Sequence, residues 1–251
     1  MLHLASYRLR ALSVLLTRRV PGGLKGRAEL AYWTRKALRQ GPLAHAHYRT
    51  FFTEAFGLDE AFYAGKRVLD VGCGPRGSLE WADMASERVG VDPLADLYLK
   101  LGADAHRMRY VVAPAEAMPF ADGSFDVVSS FNSLDHVDDV ERTAAEIVRI
   151  LAPGGSFLLL TDVGHKPTIA EPRAFGWEVV DLFRPALRIV AEEHFEKADS
   201  HAVYRTVRDA IPYDHSDPTR RYGLLAARFA KDTTGAQTAA GSAEQPQRDE
   251  R

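Results

Sequence analysis

The chain has 251 residues, 46% of them hydrophobic, and a formal net charge of −2, so it has the length and composition for one large buried core. That near-neutral balance carries no electrostatic footprint for nucleic acid. The single cysteine, Cys73, excludes a disulfide framework and a three-cysteine iron–sulfur site, and reads as a small residue filling a tight loop.

The first forty residues are basic, with Arg8, Arg10, Arg18, Arg19, Lys25, Arg27, Arg35, Lys36 and Arg39 set against Glu29 alone. Leu2, Leu4, Leu9, Leu12, Leu15 and Leu16 recur at roughly helical spacing, which predicts a helical cap packed over the rest of the chain. Contact with an anionic membrane surface is the alternative for such a basic amphipathic segment. The apolar stretch between Arg10 and Arg18 is too short to span a bilayer and lacks the pattern of a secretory signal, so a cytoplasmic location is expected. Gly41-Pro42 interrupts the pattern, and His47 to Phe56 reads as a helix. Residues 1–60 thus form a basic helical extension. Its Tyr32, Trp33, His45, His47 and Tyr48 are candidates for a substrate pocket, or else dock the cap on the core.

From residue 66 the hydrophobic pattern alternates regularly. Strands are predicted near 67–71, 88–92, 109–113, 125–130 and 156–161, with helices near 78–86, 94–101 and 138–151, the last begun by Asp138. This alternation predicts an α/β fold, a doubly wound, mostly parallel sheet with helices on both faces. A helix is expected around 173–183 and apolar runs near 187–191 and 222–229. Residues 61–231 make up this domain. Residues 232–251 are small and polar, with the composition of a disordered tail.

The densest signal is Asp70-Val71-Gly72-Cys73-Gly74-Pro75-Arg76-Gly77, directly after Arg67-Val68-Leu69. A buried strand running into a glycine turn lets the backbone approach a ligand closely. Arg88-Val89-Gly90-Val91 then ends in Asp92, and a carboxylate at the end of a second strand can accept both hydroxyls of a ribose. Gly72, Gly74 and Gly77 also satisfy the dinucleotide pattern G-x-G-x-x-G. Asp70, however, would repel a pyrophosphate at close range, whereas a cofactor carrying an ammonium and a sulfonium tolerates it.

Together these segments resemble the class I S-adenosylmethionine-dependent methyltransferases of the small-molecule type, over residues 66–161 and more loosely to about 230. Val68 to Gly74 is similar to the first family motif, and Val89 to Asp92 to the acidic end of the second strand. Ala115-Glu116-Ala117-Met118-Pro119-Phe120 is similar to the adenine-proximal loop, Phe125 to Val128 to the fourth strand, and Arg149 to Gly155 to the turn before the fifth. The resemblance implies a Rossmann-like sheet closed by a C-terminal antiparallel strand, and S-adenosylmethionine as cofactor. It places Asp70 near the cofactor's ammonium, Gly72 and Gly74 along its methionine part, and Asp92 on the ribose. Pro93 would lie against the adenine face, Ala115 and Glu116 at its edge, and Phe131 and Asn132 beside the reacting centre. Two departures stand out. Pro114 replaces the acidic or amide residue many relatives use for the adenine amino group, and the third glycine comes late. Arg76 either pairs with the cofactor's carboxylate or faces solvent.

The expected reaction is methyl transfer to a small-molecule or glycan-like acceptor, most simply at oxygen. An oxygen nucleophile must lose a proton, and His136 and His165, each following a strand, are the candidate bases. Asp135, His136, Asp138 and Asp139 are too close in sequence to converge, so no metal is expected. Two alternatives remain: a cofactor-binding protein without transferase activity, and a nicotinamide-dependent oxidoreductase.

Overall fold

A computed structural model describes residues 9–14, 16–41, 47–197, 199 and 203–233. The expected tail lies outside them from residue 234 onward, as does His45. Seven strands form one sheet: β1 (Arg67–Val71), β2 (Glu87–Val91), β3 (Arg109–Val111), β4 (Phe125–Phe131), β5 (Leu151–Val163), β6 (Arg188–Glu196) and β7 (Gly223–Ala230). Their order is β3-β2-β1-β4-β5-β7-β6, with β7 antiparallel to both of its neighbours and the other pairings parallel. Strand order reverses where β1 meets β4, and ligands of open α/β sheets bind beyond the carboxyl ends at such a reversal.

Alternation along the strands divides the core between two faces. Leu69, Val71, Val128 and Leu159 pack on one face with Ala144, Ile147 and Ile150, while Val68, Val127, Leu158 and Leu160 pack on the other with Phe52, Phe56 and Tyr63. The helices are α1 (Gly23–Gln40), α2 (Tyr48–Phe52), α3 (Ala95–Lys100), α4 (Val140–Ile150) and α5 (Val203–Asp209). In α4 the buried residues Val140, Thr143, Ala144, Ile147 and Ile150 form a single stripe, and the Asp139 carboxylate accepts the Arg142 N–H. The helix therefore starts on Asp139 rather than Asp138, because the Asp139 side chain satisfies an otherwise unpaired donor of the first turn.

Two predicted helices are absent. Residues 77–86 form successive turns whose N–H groups bond three residues back, as from Glu80 to Gly77 and from Ala82 to Leu79. Gly77 is left-handed (φ 68°), the Ser78 hydroxyl is tied to Asp70, and the Glu80 carboxylate accepts the backbone N–H groups of Arg107 and Met108. These anchors hold the segment off helical geometry. In the expected helix at 173–183 only the 3₁₀ turn Trp177–Leu182 forms.

The described part of the amino-terminal segment packs against α3 and its flanking residues. Ala11, Val14 and Leu30 are buried against Leu94, Leu97, Tyr98 and Leu101, and Arg10 bonds the Leu99 carbonyl and Asp104. Leu9, Leu12, Leu16 and Leu24 remain exposed. Among the described residues no helix is long and apolar enough to cross a membrane.

Candidate active site

Beyond the carboxyl ends of β1, β2, β4 and β5 lies a cavity of about 950 Å³, roofed by α1 and α2. Asp70, Gly72, Gly74, Asp92, Pro93, Ala115, Glu116, Phe131, Asn132, His136 and His165 all border it. The elements bring these eleven positions to one space, although the strands carrying them are far apart in sequence.

On the β1–β2 side, Gly72 (φ 73°) and Gly74 (φ 57°) adopt the left-handed backbone that favours glycine. A Cβ on Gly72 would sit 2.3 Å from that of Ser133, and one on Gly74 would touch the Trp33 ring at 3.5 Å. Cys73 is buried beneath this turn. Its sulfur lies where a side chain on Gly90 would fall, so Gly90 leaves room for the expected loop filler.

The two carboxylates differ in their surroundings. Asp92 accepts the Gly74 N–H on Oδ2 at 3.3 Å and the Leu94 N–H on Oδ1 at 2.8 Å. Burial pushes its carboxyl up to about 7, and those backbone bonds only partly oppose the rise. Asp70 accepts the Ser78 hydroxyl at 2.5 Å and the Ser129 hydroxyl at 2.8 Å, one on each oxygen, and burial lifts it to about 6. Both of its oxygens are thus engaged before any ligand arrives.

Several other side chains have structural partners. Oε1 of Glu116 accepts the backbone N–H groups of Asp138 and Asp139, bracing the approach to α4. Phe131 packs between Phe52 and Phe56. Asn132 is left-handed (φ 50°), and its amide exchanges hydrogen bonds with Asp162, clipping β4 to β5. Of the cap residues, Tyr32, Trp33 and Tyr48 border the cavity, while His47 faces Arg76 and the ring of Phe51. Burial drives the Tyr48 phenol well up.

Arg76 points inward rather than to solvent. It bonds Gln40 at 3.0 Å, approaches His47 at 3.3 Å and sits 5.6 Å from the Trp33 ring centre. Its buried Nε has no hydrogen-bond partner among the described residues. An orphaned buried cationic donor suits a carboxylate. With the glycine turn and Asp92, it gives the cavity the donor and acceptor set of an amino-acid nucleoside.

On the β4–β5 side, Asp135 (2% exposed) lies between two histidines. Nε2 of His136 is 3.9 Å from its Oδ1, and Nε2 of His165 is 3.7 Å from its Oδ2. Burial raises the Asp135 carboxyl, with His136 opposing. Nδ1 of His136 is also 3.8 Å from Glu29 of α1, and Lys25 of α1 donates to the His136 carbonyl and to Asp138. Sequence reasoning did not single out Lys25, Glu29 or Glu171 for the site. Lys25 and Glu29 were submerged in a basic helix, and Glu171 lies in a loop without a motif.

Residues 69–159 match the family described as Methyltransferase domain. The chain is 34% identical over 122 residues to the chloroplastic tocopherol O-methyltransferase of Arabidopsis thaliana, covering 45% of this chain and 35% of that protein. It is 32% identical over 133 residues to the malonyl-[acyl-carrier protein] O-methyltransferase of Enterobacter lignolyticus (strain SCF1), covering 53% and 52%. The chain therefore spans about a third to a half of the length of these curated relatives. Among solved structures, the [4+2]-cyclase SpnF superposes with a TM-score of 0.62 at 19% identity, over 85% of this chain and 98% of that one, a likeness of fold.

Proposed function

We propose that this chain, whose residues 69–159 match the family described as Methyltransferase domain, is an S-adenosylmethionine-dependent methyltransferase that moves a methyl group onto a small-molecule acceptor, at oxygen. The observation that carries this reading is one cavity with two chemistries: a glycine turn and Asp92 on the β1–β2 side, and His136 and His165 on the β4–β5 side, each within 4 Å of the buried Asp135 carboxylate behind them.

When bound, S-adenosylmethionine supplies a methyl on a sulfonium, and the carbon–sulfur electrons stay with sulfur. Asp92 would accept the ribose hydroxyls, the backbone at Gly72 and Gly74 would pass along the methionine part, and Arg76 would hold its carboxylate. Pro93, Ala115 and Glu116 would flank the adenine. Asp70, with both oxygens bonded to serines, would shape the turn and set its negative charge near the ammonium. Phe131 and Asn132, fixed by their own partners, would wall the reacting centre. Such rigid orientation is the main resource for an in-line transfer, contributing up to about 7–11 kcal/mol. His136, partly exposed and bordering the cavity, would take the acceptor's proton.

The names of the two relatives, O-methyltransferases of tocopherol and of malonyl-[acyl-carrier protein], support an oxygen nucleophile here. The test is calorimetry with S-adenosylhomocysteine and NADH, followed by methyl-labelled cofactor with a small-molecule extract. Binding of the former alone, with label in an oxygen ether or ester, is the expected result. Binding of NADH in its place, or label found only at nitrogen or carbon, would overturn the reading.

A further inference from the structure

Asp135 sits in the 3₁₀ turn Leu134–His136 after β4, His165 follows β5, and Glu171 lies in the loop beyond, yet one ligand atom from each falls within 4.8 Å of the others. Nδ1 of His165 faces the Lys166 carbonyl at 3.2 Å. A carbonyl only accepts, so Nδ1 donates, and in the neutral ring Nε2 carries the lone pair. That Nε2, on a side chain 8% exposed, has no hydrogen-bond partner among the described residues, and neither has Oδ1 of Asp135. Lone pairs on two carboxylates and an imidazole thus converge. Among the described residues no lysine or arginine forms an ion pair with Asp135 or Glu171. Electron-pair donors that face one another, two of them buried and one half-buried, are satisfied by a proton or a Lewis acid between them.

The loop is built to hold this arrangement. The Thr168 N–H bonds the Glu171 carbonyl, the Thr168 hydroxyl accepts the Glu171 N–H, and the Arg173 N–H reaches the Asp135 carbonyl. We propose that Asp135, His165 and Glu171 bind one first-row divalent cation, of the manganese or zinc kind, on the wall of the reaction cavity. A nitrogen with two carboxylates favours such ions over magnesium or calcium, which prefer all-oxygen sites. Three protein ligands leave positions open. The acceptor class that fits is one with adjacent oxygens, a hydroxyl beside a second hydroxyl, carbonyl or carboxylate, chelating the ion. Coordination draws charge from the hydroxyl and eases loss of its proton to His136. His165 is then a ligand rather than the base. The acceptor class rests on the methyl-transfer reading, whereas the cation site does not.

The test uses the full chain, stripped with a chelator and titrated with Mn²⁺ and Zn²⁺ by calorimetry, with Mn²⁺ spin resonance as a second readout. One ion per chain is expected, with affinity lowered at least tenfold by Glu171→Gln and lost in His165→Ala. S-adenosylhomocysteine should bind both variants as it binds the wild type, which separates failure here from failure of the cofactor reading. No ion bound by the wild type, or equal affinity in the wild type and both variants, would overturn the assignment.

Discussion

The backbone N–H of Gly74 donates to Oδ2 of Asp92 at 3.3 Å, so the glycine turn after β1 is fastened to the carboxylate that ends β2. Asp92→Ala removes this tie together with the proposed acceptor of the ribose hydroxyls. Leaving such polar groups unpaired costs about 1–3 kcal/mol. Calorimetry should show S-adenosylhomocysteine affinity falling by that amount, and an unchanged dissociation constant would refute the ribose assignment.

Asp92 also makes binding depend on pH. Its carboxyl titrates at about 7 in the folded protein, against an ordinary value of 3.8. The ionised form is the one that accepts two hydroxyls, so affinity should rise about tenfold per pH unit up to about 7 and then level off. Between 3.8 and about 7 the native state holds a proton that the unfolded chain has released. The ligand-free protein should therefore lose stability as pH climbs through that window, and Asp70, raised to about 6, acts in the same direction. Titrations of the wild type and Asp92→Asn across pH 5–8 check this, the variant being expected to lose the part of the dependence centred on about 7 and to keep the part that Asp70 contributes near 6.

How much of this could be read in the chain follows from where the determinants lie. β1, β2 and β4 are short apolar runs ending in Asp70-Val71-Gly72, Asp92 and Asn132, so local pattern reveals both the strands and their functional ends. The missing helix at 78–86 was not legible, because Ser78, Glu80 and Trp81 are held by Asp70, by the Arg107 and Met108 backbone and by the Phe52 and Tyr63 rings, all distant in sequence. The same holds for the group around Asp135. His165 and Glu171 gain meaning only once β4 and β5 pair in parallel and the following loop folds back. Local chemistry fixes strands and turns, while convergence depends on topology.

The roof of the cavity should control cofactor exchange. Lys25 of α1 donates to Asp138 at 2.5 Å and to the His136 carbonyl at 2.8 Å, and Trp33, held by Glu29, covers Gly74. Asp138 is 80% exposed, so Lys25→Met should cost no more than about 1 kcal/mol of stability. Loss of both clamps should nevertheless speed release of S-adenosylhomocysteine several-fold in stopped-flow fluorescence, with Trp33→Ala having the larger effect. Identical release rates in the wild type and both variants would show that α1 is not a lid.

The two glycines of the turn should respond differently to a methyl group. At Gly72 the new Cβ would lie 2.3 Å from Cβ of Ser133, whose hydroxyl is tied to the Val71 carbonyl at 2.7 Å. Left-handed strain of about 1–2 kcal/mol adds to an overpacking cost of about 1–3 kcal/mol. Gly72→Ala should therefore lower the melting temperature by on the order of 10 °C. At Gly74 the Cβ meets the Trp33 ring at an ordinary 3.5 Å, so only the strain remains, worth roughly 2–8 °C. Ser133→Gly placed on Gly72→Ala relieves the clash and should recover part of the loss, whereas on Gly74→Ala it should recover nothing. Equal melting shifts for the two alanines, or no recovery in the first pair, would mean that Ser133 does not set the limit on this turn.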